Sequence, residues 1–239
     1  MRLNIKSIIL GLPLVALTLL PGCMNDGDSG NYFTFSEFLI VDSYSVPTKV
    51  ATMSGVALYI PQLDQELLRE GTCLYAQGKI DQDNQPNANG FTVNELYSEE
   101  KIARYDATSY SDSIVADPEN VPVTYFTVGN NTPIFFKNTL FMSASEQTNV
   151  PKNFEYHVAW TEYSLLSETP TIYVSAQSTS SAVGSVFAVG LDDFISACEE
   201  LGKVNDKELQ FNIKYCEGLE SDNTTPKFST PISVKITVD

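Results

Sequence analysis

The sequence predicts an all-β protein: an N-terminal OB-like small barrel followed by a C-terminal antiparallel β-sandwich with one short helix. Three observations lead there. Apolar and polar residues alternate with period two in several runs of the C-terminal half, the pattern of a strand with one packed and one wet face. Clusters of turn formers separate the runs at short intervals, as in sandwiches and barrels. Aromatic content of 11% and charged content of 18% belong to a chain that folds around a core, not to a disordered one.

Residues 1–22 read as a lipoprotein signal peptide. Arg2 and Lys6 supply a positive start, and Ile8 to Leu20 form an uncharged apolar stretch. That arrangement is a secretory signal. At about 13 residues the stretch is shorter than the roughly 20 that a spanning helix needs. Leu20-Pro21-Gly22-Cys23 resembles a lipobox. The resemblance implies a diacylglycerol on Cys23 and removal of residues 1–22, leaving acyl chains such as palmitate as the anchor. Two or more chains are enough for stable membrane attachment. Residues 23–31, rich in Asn, Asp, Gly and Ser, read as a flexible tether. Met24 does not match an inner-membrane retention signal, and Asp26 and Asp28 resemble the export signals of Bacteroidota surface lipoproteins. The expected place is therefore the cell envelope, lipid-anchored at the outer membrane with surface exposure.

Residues 32–129 are expected to form the barrel, with strands at Tyr32–Val41, Val50–Ile60, Thr72–Ile80, Lys101–Tyr105 and Pro122–Val128. Asp81 to Gly90 reads as a polar loop. Five short strands could close an OB-type barrel. Gly129-Asn130-Asn131-Thr132-Pro133 is dense in turn formers and marks the expected boundary. The sandwich is expected over 133–239. Its strands follow Phe154-Tyr156-Val158-Trp160, Ile172-Val174-Ala176, Val183-Ser185-Phe187-Val189, Leu209-Phe211-Ile213-Tyr215 and Ile232-Val234-Ile236-Val238. The helix is expected around Asp192 to Leu201, with Gly202 as its stop.

Charge narrows the partners. Loss of Arg2 and Lys6 with the signal leaves 12 basic against 30 acidic residues, a formal charge of −18. Such a body repels nucleic-acid phosphates and anionic head groups. It keeps a surface protein soluble. With Cys23 assigned to lipid, Cys73, Cys198 and Cys216 remain. Cys198 and Cys216 are the candidate disulfide in an oxidising compartment, and three unpaired thiols are the open alternative.

Few residues suggest chemistry. His157 lies opposite Tyr156 and Val158 by alternation, and no nucleophile-elbow glycine pattern surrounds any serine. A strand histidine with ordinary hydrogen bonds is the expectation. Asp81-Gln82-Asp83-Asn84-Gln85 opens like a calcium loop, yet Pro86 and Thr92 stand where glycine and a bidentate Glu are required. Glu99-Glu100 and Glu199-Glu200 are neighbours that point apart on a strand or helix, which argues against a glycosidase pair. No zinc or nucleotide motif occurs, so no catalytic residue, metal or cofactor is expected. Tyr97, Tyr105, Tyr110 and Trp160 are candidates for a sugar-stacking platform. Asp112-Ser113-Ile114 matches a Bacteroidota O-glycosylation pattern, which places glycan on Ser113.

Three stretches resemble the NigD-like lipoproteins of Bacteroidota: Leu68 to Tyr75, Phe154 to Trp160, and Phe187 to Phe194. The resemblance implies a lipobox, an acidic tether, an OB-type domain and a β-sandwich, with no catalytic residues to carry over. The expected function is a non-catalytic envelope lipoprotein that binds an unknown protein or glycan partner through sheet edges or loops. The alternatives are a carbohydrate-binding module and a fimbrial subunit that assembles by strand exchange after cleavage near Arg69.

Overall fold

A computed structural model describes residues 31–43, 46–63, 69–83, 85, 89–110, 120–121, 123–128, 133–146, 153–179, 186–223 and 225–238. The signal, the tether up to residue 30, Cys23, Ser113 and the stretches 129–132 and 183–185 lie outside the described residues. The chain is all β, as the alternation implies. It divides into two compact units, residues 1–100 and 101–239.

The first unit holds β1 (Tyr32–Ser43), β2 (Thr48–Thr52), β3 (Ala57–Ile60), β4 (Cys73–Asp81), β5 (Gly90–Thr92) and the first half of β6 (Glu95–Asp106). β1 pairs antiparallel with β4 and with β2, β2 with β3, and β3 runs parallel to β5. Alternation sends Phe35, Leu39, Val41, Val50, Leu58, Ile60, Leu74, Ala76 and Ile80 into one core. The single run expected over Val50–Ile60 breaks into β2 and β3. Gly55, at φ +77°, supplies the left-handed turn residue that a β-carbon disfavours.

The second unit adds β7 (Thr108–Tyr110), β8 (Asn120–Val121), β9 (Val123–Thr127), β10 (Ile134–Phe136), β11 (Thr139–Glu146), β12 (Asn153–Thr161), α1 (Glu162–Leu166), β13 (Thr171–Thr179), β14 (Val186–Gly190), α2 (Asp192–Glu200), β15 (Val204–Asn205), β16 (Glu208–Leu219), β17 (Pro226–Phe228) and β18 (Ile232–Thr237). Tyr156, Val174, Phe211 and Val234 share one cluster with Leu140, Met142, Phe187 and Val189. The first four sit on strands joined through β13 and β16, the others on β11 and β14. Two sheets facing one core make a sandwich. Tyr156 and Phe187 stack at its centre, ring centroids 3.9 Å apart.

Three features differ from expectation. The boundary falls at residues 100 and 101, inside β6, and not at 129–133. Ala103 to Asp106 pair in parallel with Phe187 to Gly190, and β9 pairs with β11. The last two strands assigned to the barrel therefore serve the sandwich, because long-range pairing outweighs the local signal of a turn-rich stretch. The sandwich is also mixed: β7–β12, β6–β14 and β13–β16 run parallel. Finally, a second short helix, α1, follows β12 directly, whereas α2 matches the expected span and ends at Gly202 with φ +65°.

Candidate functional site

A recess of about 370 Å³ lined by described residues lies in the second unit. Four stretches build it. Glu168 to Pro170 join α1 to β13, Gly202, Lys203 and Asn205 follow α2, Glu208 and Gln210 come from β16, and Lys235 from β18. Its charges are largely matched. The Lys235 ammonium lies 2.6 Å from Glu208, Lys203 donates to the Ser167 carbonyl at 2.8 Å, and the Gln210 amide donates to Ser233 at 3.2 Å. The wall carries no His, Cys or Ser. Its lysine, carboxylate and amide groups can orient a polar ligand by hydrogen bonds and paired charges. No sequence signal marks it, since its residues are far apart in the chain.

The residues singled out in the sequence do not converge. His157 is exposed on β12, and its Nε2 lies 3.1 Å from Gln177 Oε1 on the neighbouring strand. This is the ordinary strand histidine expected. In the loop after β4, the side chains of Asp81, Asp83 and Gln85 hydrogen-bond to backbone groups. Asp81 Oδ1 accepts from the Asp83 amide at 3.0 Å and Asp83 Oδ2 from the Asn31 amide at 3.2 Å. Gln85 bridges, donating to the Asp81 carbonyl and accepting from the Thr92 amide. Arg69 sits in a closed turn in which the Thr72 amide donates to its carbonyl at 2.9 Å.

The tyrosine–tryptophan platform is dispersed. Tyr97 and Tyr110 are exposed. Tyr105 packs edge-on against Tyr156 and Phe187, and Trp160 packs toward Phe194 in the core. Core demand outweighs display for the two rings on inward positions. The helix α1 instead shows Tyr163 and Leu166, 82% and 60% exposed, which its position after β12 did not signal.

The candidate disulfide is not formed: Cys198 and Cys216 are free, and they and Cys73 are buried. Geometry explains it. Phe194, one turn before Cys198, packs on Phe211 with centroids 5.3 Å apart. Cys216, five residues further along β16, falls on the face opposite Phe211 by alternation and lies outside the core cluster that holds Cys198. Burial pushes the Cys198 thiol up to about 12. Burial likewise pushes the Glu37 carboxyl on β1 up to about 7.

No family model and no curated protein matches this chain. Solved structures from Bacteroidales do resemble it in fold. An uncharacterised protein from Parabacteroides merdae superposes with a TM-score of 0.62 at 15% identity, covering 86% of this chain and 99% of its own. A protein from Bacteroides fragilis, provisionally named a lipoprotein, gives 0.55 at 13% identity, with coverage of 86% and 99%. A protein of unknown function from Bacteroides vulgatus gives 0.51 at 10% identity, with coverage of 84% and 90%. At these identities the likeness is one of fold. Among the described residues no helix is long and apolar enough to cross a membrane.

Proposed function

We propose that this chain is a NigD-like envelope lipoprotein, held at the outer membrane by acyl chains on Cys23, whose body faces outward and binds a partner without doing covalent chemistry. The observation that carries the reading is Leu20-Pro21-Gly22-Cys23 at the end of a short, uncharged apolar run. The fold it shares with a protein provisionally named a lipoprotein supports it. The recess of the second unit, lined by lysines, carboxylates and amides, suits non-covalent recognition of a polar group.

Metabolic labelling with palmitate, followed by protease treatment of intact cells, tests the anchor. Wild type should take up label and be shaved from the surface, and Cys23→Ala should remain unlabelled. Equal labelling of both forms would sink the anchoring model.

A further inference from the structure

Glu37 is out of place by its neighbours. On β1 the side chains of Phe35, Leu39 and Val41 enter the core of the first unit, and Glu37 shares their face. Across β4 it stands opposite Ala76, flanked by Leu74 and Gly78. It is partly buried, and among the described residues its carboxyl has no hydrogen-bond or ion-pair partner.

We propose that Glu37 makes the first unit a pH-responsive element, in which loss of the carboxyl proton loosens the pairing of β1 with β4. A carboxylate among apolar side chains is costly unless it is paired, whereas a neutral carboxyl is tolerated. Among the described residues the elements around it offer no cation. β4 presents Leu74, Ala76, Gly78 and Ile80, β2 presents Thr48, Val50 and Thr52, and β3 presents Leu58 and Ile60. Their charged residues, Lys49, Lys79 and Asp81, fall on the alternate positions, where Lys49 pairs with Asp42 and Lys79 with Glu95. On the part of β6 within the first unit the positions in phase with Leu96 are Ser98 and Glu100, both exposed, and Glu100 adds only negative charge. Further along, Arg104 belongs to the second unit and pairs with Asp106 and Asp192.

The direction follows. Burial raises the carboxyl from 4.5 to about 7, so the folded unit holds the proton more tightly than the unfolded chain. Stability is greatest below the unfolded value, declines as pH rises toward about 7, and levels off once the folded carboxyl is also ionised. The response is independent of how the chain is anchored.

Amide hydrogen exchange on the full chain, corrected for intrinsic rates, reads it. Between about pH 5.5 and about pH 8, protection in β1 and β4 should fall roughly tenfold or more in wild type. In Glu37→Gln it should hold steady over the same interval. An equal fall in both proteins, or none in wild type, overturns the proposal. Should Glu37→Gln fail to fold, a carboxyl-carbon NMR titration of wild type decides. A midpoint near 7 supports the element, and one near the ordinary 4.5 overturns it.

Discussion

Gly90 shows how much a single atom matters in the first unit. A β-carbon there would lie 2.4 Å from the Ala57 carbonyl oxygen, across the parallel β3–β5 pair. Backbone must move to admit it, so Gly90→Ala should cost about 1–3 kcal/mol. A urea melt with an unchanged midpoint would contradict the close approach. Thiols make a second residue-scale case. Cys73, Cys198 and Cys216 are all buried, and Cys198 stays protonated far above neutral pH. A thiol reagent at mildly alkaline pH should leave these three untouched in the native protein and modify them in denaturant. Reaction of Cys198 before unfolding would show that its burial is wrong. The number of cysteines was plain in the sequence, but their separation was not, because the packing of α2 on β16 is a long-range event.

Among the elements, α1 was the least legible. Five residues cannot sustain a helix by propensity alone. Thr161 and Ser164 cap each other reciprocally, the Ser164 amide donating to Thr161 Oγ1 at 3.1 Å and the Thr161 amide to Ser164 Oγ at 3.0 Å. Ser164 Oγ also reaches the Thr171 carbonyl at 2.8 Å, which ties the helix to β13. The usual signature has Glu or Gln at the third position, so Ser164 gave no warning. Thr161→Ala should lower stability by about 1 kcal/mol, and a thermal melt indistinguishable from wild type would refute the cap. By contrast α2 was readable, with Asp192 and Asp193 in its first turn and Gly202 beyond its end. β14 misled in another way. Its alternation suggested one wet face, yet Phe187, Ala188, Val189 and Gly190 are all buried. Phe187 and Val189 enter the core, β11 and β6 flank the strand within the sheet, and the Arg104 and Asp106 side chains crowd Gly190.

At the scale of the whole chain, the two units draw on different information. β1, β2, β3 and β4 are mostly sequential neighbours, and their cores follow from period-two patterning. The second unit gathers β6 and β7 from the chain's middle and β16 and β18 from its end. Its recess is likewise assembled from four separated stretches. The formal charge of −16 spreads over both units and disfavours contact with nucleic-acid phosphates for either.

Sequence alone determined the all-β class, the strand faces, the position of α2 and the lipobox resemblance, since each depends on neighbours within a few residues. Only the tertiary structure decided where the units divide, which strands run parallel, that Cys198 and Cys216 do not pair, and that Glu37 meets no cation among the described residues. Those outcomes depend on which distant segments meet, and a local pattern of apolar and polar residues is the same whichever partner a strand finally takes.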